Sequence, residues 1–256
     1  MQTYFLYDNY PFGPFQIFSK SHIMSLLTIL LVNLIMVYWI KNYKTERKDM
    51  IIRYTLATLL ILQEISLSVW RLSWGKWTPG VSLPLHLCGA AVVLSAIMLI
   101  NKSYRLYEIV YFWGLGGAIQ ALLQPDIGAY SFPHFRFFQF FFSHGLIVTA
   151  TIYGTFSFSY RPKYKSIFRI FILTNIYMIF IAGFNYVFDG NYLFICHKPE
   201  TASLMDFFGP WPWYILVLEG VALISFLIYY SPFVIVDLVK KRRIVKAAIK
   251  SKSFEY

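Results

Sequence analysis

Seven stretches of about 20 mostly apolar residues run through this 256-residue sequence. About 20 such residues let a helix cross the hydrocarbon core of a membrane with its backbone hydrogen bonds satisfied internally. Only 14% of the residues are charged, which is too little polar surface for a soluble domain of this size. The sequence therefore predicts an all-α, polytopic membrane protein. The seven stretches are His22–Ile40, Ile51–Trp70, Val81–Ile100, Tyr104–Leu123, Phe137–Phe158, Ile167–Val187 and Pro212–Ile235.

Positive charge indicates how these seven predicted spans are oriented. When the connections between them alternate between the two sides, 18 of the 23 Lys and Arg residues fall on one side. Lys and Arg concentrate on the cytoplasmic side of membrane proteins. We therefore expect the N-terminus outside and the C-terminus in the cytoplasm. The five basic residues on the outer side are Lys20, Arg71, Lys76, Arg136 and Lys198.

The remaining charge and cysteine pattern fits a single membrane domain. Residues 1–235 are expected to form it, and residues 236–256 a basic cytoplasmic tail that lies on anionic lipid. This placement accounts for much of the net charge of +11, so nucleic acid is not predicted as a partner. Two cysteines are too few for a disulfide framework.

Polar residues inside the predicted spans lie at one depth. Ionisable groups in a bilayer are costly, which makes each of them a candidate functional residue. At 1.5 Å per residue, six polar side chains lie between about 5 and 11 Å from the outer ends of their helices. We expect helices to turn such groups toward one another, in a polar cavity open to the outside. The six residues are Glu64, His86, Cys88, Gln120, His144 and Glu219.

Nucleophilic catalysis is one chemistry that fits this layer. A thiol becomes a nucleophile when a neighbouring base or cation favours its thiolate, and Cys88 has His144 at a matching depth. Glu64 or Glu219 could orient the imidazole. His86 should point elsewhere, because two residues turn a helix by about 200°. Interhelical hydrogen bonds are the structural alternative for every one of these polar residues.

Metal binding and transport are two further hypotheses. Zinc ligands are present, but the sequence contains neither His-x-x-x-His nor Cys-x-x-Cys spacing, and no metal or other cofactor is predicted. A transporter or ligand-binding protein without catalysis would use the same outward cavity. Transporters often break helices near the middle of the membrane, whereas Pro84, Pro210 and Pro212 lie at predicted outer helix starts. The potential zinc ligands are His22, His86, His144, Cys88 and Glu219.

Two motifs and the region around His144 carry a resemblance to a known family. The motifs are Leu-Pro-Leu-His-Leu-Cys at 83–88 and a stretch from Lys198 that ends in Gly-Pro-Trp-Pro-Trp-Tyr at 209–214. On these residues the chain resembles the bacterial YwaF-type integral membrane family, which groups with eukaryotic transmembrane protein 164. The eukaryotic relative is regarded as a phospholipid acyltransferase that works through a cysteine thioester and a partner histidine. The resemblance implies that Cys88 is the nucleophile and His144 the base.

The residue pattern and the resemblance together give one working hypothesis. Cys88 attacks the ester of an outer-leaflet phospholipid with help from His144, and the acyl group passes to a lysolipid or to water. An arginine at the interface would hold the lipid phosphate, and a glutamine would stabilise the oxyanion. The candidate binding residues are His86, Arg71, Gln120, Gln124, Arg136 and Gln139.

Overall fold

The computed structural model describes residues 2–8, 10–199 and 204–252. Within these residues the chain forms seven long helices and no strand. We call the end of the bundle at which the first helix starts the outer end, and the opposite end the inner end. The helices are α1 (Lys20–Tyr43), α2 (Glu46–Ser73), α3 (Leu87–Asn101), α4 (Tyr104–Leu123), α5 (Phe135–Ser157), α6 (Tyr164–Phe188) and α7 (Trp213–Lys252).

Six of these helices are long and apolar enough to cross a membrane, and α3 is the exception. Its 15 residues span about 22 Å, which is less than the hydrocarbon core of about 30 Å. The predicted span Val81–Ile100 is divided: a short helix, Pro79–Ser82, is followed by non-helical Leu83–His86. Pro84 accounts for the break, because proline has no backbone N–H and pushes the preceding residue out of helical geometry.

Two other helices also differ from the prediction. Helix α4 contains an irregular segment, and helix α7 extends past its predicted end. In α4, residues Val110–Leu115 form a π-helical segment between α-helical turns. In α7, the helix continues without interruption to Lys252. The predicted boundary between a membrane domain and a tail at residue 235 therefore has no break in the backbone. Residues 253–256 of that tail lie outside the described part of the chain.

The centre of the bundle is α5, which packs against α1, α2, α3 and α4. Two thirds of its most apolar stretch is buried, compared with 6% for α7 at the edge. The buried face of α2 repeats every three or four residues through Leu56, Leu60, Gln63, Leu67 and Trp70. This spacing places all five on one stripe of the helix. Helices α6 and α7 pack on each other at the side of the bundle.

The outer end is covered by chain segments that fold back onto the helices. In the N-terminal segment, the Phe5 carbonyl accepts a hydrogen bond from Trp70 Nε1 at 2.8 Å. The Tyr7 carbonyl accepts one from Tyr130 Oη at 2.6 Å. The loop between α6 and α7 is bonded to α7 through Tyr214 Oη. Aromatic residues thus hold backbone that would otherwise lie free at the membrane surface.

The inner end is closed by ion pairs between different parts of the chain. Each pair joins a carboxylate in one element to an arginine or lysine in another, so the ends of the helices are linked. These links are Asp49 with Lys102, Glu108 with Arg169, and Asp237 with Arg161.

Candidate functional site

The break before α3 is held in place by tyrosines. Tyr192 Oη accepts a hydrogen bond from the Leu83 backbone N–H at 2.8 Å and donates to the Pro79 carbonyl at 2.7 Å. Tyr177 Oη of α6 donates to the Leu85 carbonyl at 2.9 Å. Non-helical backbone at membrane depth is tolerated where it is buried in protein or lines a cavity. The hydrogen bonds satisfy the polar groups that the missing helical turn leaves open.

Cys88 lies in the first turn of α3, directly after this break. Its thiol is free and partly buried, and among the described residues it has no hydrogen-bond partner. The sulfur rests on Gly117 of α4, since a Cβ added to Gly117 would lie 2.5 Å from Sγ. The π-helical segment of α4 ends just before this contact, and π-bulges occur often at functional sites.

His144 lies level with Cys88. Helices α3 and α5 run in the same direction, and the Met98 methyl lies 3.6 Å from the position of a Cβ on Gly154. Cys88 and His144 each come ten residues before this contact, so equal helical rises bring them to the same height. Both helices also pack against α4. The depth match expected from the sequence is therefore reproduced by the register of α3 and α5.

The facing of His144 follows from its neighbours along α5. It lies one turn before Ile147 and two turns before Thr151, so these three share one helix face. A Cβ on Gly114 of α4 would lie 2.8 Å from Ile147 and 3.5 Å from Thr151. His144 therefore faces α4, the same helix on which the sulfur of Cys88 rests.

One hydrogen bond identifies the tautomer of His144. Its Nδ1 lies 2.8 Å from the Phe140 carbonyl oxygen, which can only accept, so Nδ1 carries the hydrogen. Nε2 then has the free lone pair, and no described residue donates to it. A general base needs this arrangement, because the hydrogen bond of Nδ1 orients the ring while Nε2 is free to take a proton.

Charged residues gather above this pair at the outer end. Arg136 of α5 lies close enough to Glu64 and Arg71 of α2 for electrostatic interaction with both. Arg71 also donates a hydrogen bond to the Val81 carbonyl at 2.9 Å, which fixes the short helix before the break. Arg136 further lines a pocket of about 340 Å³ that the N-terminal segment covers, together with Asp126. Glu64, Arg71 and Arg136 therefore lie within electrostatic range of one another at the outer end.

Gln139 connects α5 to α2, a contact that its prediction as an oxyanion donor did not include. Its Nε2 donates to Gln63 Oε1 at 2.7 Å, and its Oε1 accepts from Arg136. Gln63 in turn donates to the Leu60 carbonyl. The amide is buried, and it links Gln63 of α2 to Arg136 of α5. The pairing partner on α2 was not recognisable from the sequence.

The other two glutamines among the candidate binding residues, Gln120 and Gln124, are exposed. Gln120 and Gln124 lie at the outer end of α4, and the side chain of neither has a hydrogen-bond partner among the described residues. Gln124 ends the helix through a backbone hydrogen bond to the Gln120 carbonyl. Gln120 is one turn from Gly117, the residue on which the sulfur of Cys88 rests.

His86 binds the outer loop. Its Nδ1 accepts a hydrogen bond from the Leu193 N–H at 3.3 Å. Its ring packs between Tyr192 and Phe194, with centroids 5.1 and 5.2 Å away. The expectation that His86 and Cys88 point in different directions therefore fits, because His86 precedes the helix and turns toward the loop between α6 and α7.

Glu219 lies at a different interface from Glu64. It accepts a hydrogen bond from Asn175 Nδ2 of α6 at 2.8 Å, at the contact between α6 and α7. Its described contact thus leads away from Glu64 and Arg136 on α2 and α5. We expected Glu64, His144 and Glu219 to meet in one pocket, and these contacts do not show that. Glu219 instead binds Asn175, a donor on the helix next to its own.

The inner end contains a polar cluster that the sequence analysis missed. The buried Asp49 carboxylate accepts hydrogen bonds from Tyr153 and Ser157, each at 2.7 Å, and from Arg53 at 3.0 Å. Lys102 Nζ lies 3.2 Å from it. Asp49 precedes the predicted second span, so it was assigned to a loop. Its position in the first turn of α2, four residues before Arg53, was the available signal.

The described helices are long and apolar on their exposed surfaces, and polar side chains lie between them. These features define a polytopic helical membrane protein. In the described part of the chain, no three His, Cys, Asp or Glu side chains lie close enough to hold a metal ion. The chain belongs to the TMEM164 family, whose family model matches residues 17–230. This confirms the relation inferred from the motifs. No curated protein and no solved structure matches the chain.

Proposed function

We propose that this protein is a membrane-embedded acyl-transfer enzyme that acts on phospholipid, with Cys88 as nucleophile and His144 as base. The observation that carries the proposal is the relation of these two residues. They lie at one height on parallel helices, both face α4, and the Nε2 lone pair of His144 is free. Family membership supports it further, since the resemblance on these motifs implied the same pair.

The chemistry proceeds in two balanced steps. His144 Nε2 takes the thiol proton of Cys88 as the sulfur attacks the ester carbonyl of a phospholipid. The tetrahedral intermediate collapses, the C–O bond breaks, and the lysolipid oxygen leaves with the proton that His144 returns. A lysolipid hydroxyl or water then attacks the thioester by the reverse path, which restores the thiol and transfers the acyl group.

Two features of the site suit the developing negative charge. Cys88 lies in the first turn of α3, and the N-cap residue His86 has no side-chain bond to that turn. Backbone N–H groups at a helix start are ready donors to an oxyanion. Gln120 of α4 offers a second donor. Arg136 and Arg71 would bind the lipid phosphate nearer the membrane surface.

The proposed topology has seven spans with the N-terminus outside. Helix α3 and the residues before it form the third of these crossings, because hydrogen bonds to α6 and the outer loop hold the backbone break in place. The charge distribution supports this orientation. The basic end of α7 would then lie on anionic lipid of the cytoplasmic leaflet.

Transport through the bundle is the alternative function, and the inner ion pairs favour catalysis over it. A path between the helices to the cytoplasm would have to separate the Asp49 carboxylate of α2 from Lys102 and from Tyr153 and Ser157 of α5. Leaving a buried acceptor without its hydrogen-bond donors costs about 1–3 kcal/mol, and more when the group is charged. A site closed at one end suits an enzyme whose substrate and product share one leaflet.

Thioester trapping tests the catalytic proposal. The purified protein is incubated with a phospholipid that carries a radiolabelled acyl chain, quenched, and assayed for hydroxylamine-sensitive label. We expect label on the wild type and on Cys196→Ala, the matched control in the exposed loop, and none on Cys88→Ala. His144→Gln should slow labelling by about 10²- to 10⁴-fold. Equal labelling of Cys88→Ala and wild type would exclude this cysteine as the nucleophile.

A further inference from the structure

A groove of about 840 Å³ runs along the outer half of α1, between this helix and α5. Its volume lies in the range of about 300–1,000 Å³ that is typical of ligand sites. Phenylalanines form its floor, and the N-terminal segment covers its outer part. The apolar side chains of its floor are Phe137, Phe138, Phe141 and Phe142 of α5, with Met24 and Ile29 of α1.

Small hydroxyl residues on α1 leave room for the groove. Ser21, Ser25 and Thr28 are spaced four and three residues apart, so they share one helix face. Ser25 Oγ donates to the Ser21 carbonyl at 2.9 Å, and Thr28 Oγ1 donates to the Met24 carbonyl at 2.7 Å. Because their hydrogen bonds stay within α1, these hydroxyls need no partner from α5, and the space between the helices remains open.

The outer rim of the groove is polar and carries a positive charge. Gln16, Ser19 and Ser131 lie there together with Lys20. Among the described residues, Lys20 has no ion-pair partner, and it is exposed. From Lys20 to Ile29 the helix rises about 14 Å, which is close to half of a hydrocarbon core of about 30 Å. The groove thus spans one leaflet.

We infer that this groove binds one phospholipid of the outer leaflet, with an acyl chain along the phenylalanines and the phosphate at Lys20. A polar, positive rim above an apolar slot of one leaflet's depth matches the charge and shape of that lipid. At the inner end of the groove, Ile29 packs onto Gly145, the residue after His144. Lipid binding here does not depend on catalysis, and it would remain if the proposed acyl transfer failed.

Photo-crosslinking tests the site separately from the reaction. Cys88→Ala protein is reconstituted into vesicles of phosphatidylcholine and phosphatidylglycerol that contain a phosphatidylglycerol with a diazirine on one acyl chain. After irradiation, we expect crosslinked peptides from residues 21–29 and 137–142. Label spread over α1, α6 and α7 in proportion to their exposed surface would overturn the inference.

Two substitutions with a matched control complete the test. Ser25→Trp fills the groove and should lower the crosslinking yield severalfold, whereas Ala182→Trp on the exposed face of α6 should leave it unchanged. Lys20→Gln should lower the yield without blocking the apolar slot. An unchanged yield for a folded Ser25→Trp contradicts the inference. If this variant does not fold, Lys20→Gln and the wild-type peptide map decide.

Discussion

At the scale of single residues, the thiol of Cys88 is positioned by a glycine on the neighbouring helix. The sequence drew attention to Cys88 and His144 through their depth and through the family motif. It gave no sign that Gly117 makes the space for the sulfur, because that contact joins residues that are 29 positions apart. The pairing of Gln139 with Gln63 was not predictable for the same reason, since Gln63 lies on another helix.

Gly117→Ala should impair thioester formation while the protein remains folded. The added Cβ would lie 2.5 Å from the sulfur of Cys88, so the thiol must move, and a displacement of about 1 Å can cost on the order of 10²-fold in rate. Gly116→Ala is the control, because its Cβ would have only an ordinary contact with Tyr229 at 3.5 Å. Trapping rates of both variants check the prediction, and equal rates would contradict it.

Asp49→Asn should destabilise the bundle far more than Asp237→Asn. The Asp49 side chain is 4% exposed and faces Arg53 at 9%, whereas the paired side chains of Asp237 and Arg161 are 53% and 42% exposed. Removing a buried carboxylate leaves its cation unpaired at a cost of about 3–5 kcal/mol. Water screens the exposed pair, so little change is expected there. Thermal unfolding in detergent measures both, and similar shifts would refute the difference.

At the scale of secondary structure, the sequence predicted five helices well, but it misplaced the start of α3 and the end of α7. Long apolar runs identify a membrane helix, because hydrocarbon permits few other spanning structures. The third run was predicted to begin at Val81, before Pro84, whereas α3 starts only at Leu87. Local sequence was ambiguous here, since the hydrogen bonds that make the break tolerable come from Tyr177 and Tyr192. Those tyrosines are about 90 or more residues away.

The N-terminal segment is held to the bundle by a neutral histidine. His134 Nε2 donates to the Leu6 carbonyl at 2.8 Å, and Nδ1 accepts the Arg136 N–H at 2.9 Å. A proton on Nδ1 would remove the second bond. Burial lowers the pKa of His134 below its usual value, with Arg136 acting in the same direction. Tyr130 stacks on the ring, and burial raises the pKa of its hydroxyl to about 12, which keeps it a donor to Tyr7.

Acidic pH should therefore loosen the N-terminal segment. The unfolded pKa of histidine is about 6.5, so the contribution of neutral His134 is complete above that pH. It is lost as the pH falls through the lower folded pKa. Hydrogen exchange of residues 4–15, corrected for its intrinsic pH dependence, should accelerate as the pH falls below about 6.5. The pH effect should persist in His197→Gln and disappear in His134→Gln; persistence in His134→Gln would exclude this histidine.

At the scale of the whole molecule, the bundle differs between its two ends. The inner end is linked by ion pairs, whereas the outer end has a pocket and a groove beneath chain segments that fold back. This difference matches the excess of basic residues on the inner side. For the proposed acyl transfer, this arrangement lets a phospholipid approach the polar residues from the side, through lipid, while the inner end stays closed.

Cysteine labelling tests the orientation of the whole chain. Cys196 is exposed in the loop between α6 and α7, which the seven-span topology places outside the cell. We expect a membrane-impermeant maleimide to label intact cells or protoplasts that express the wild type, and not those that express Cys196→Ser. Label that requires permeabilised membranes would reverse the proposed orientation. The partly buried Cys88 should remain unlabelled in both cases.

The sequence by itself determined that this chain lies in a membrane, how its helices are ordered, and which polar residues are costly enough to matter. These properties depend on composition and on runs of neighbouring residues, which hydrocarbon selects directly. Only the tertiary structure decided which polar groups meet. Glu219 was brought to Asn175, Gln139 to Gln63, and Cys88 to Gly117. Such pairings depend on the rotation and register of packed helices, and a residue's own depth along its helix does not specify them.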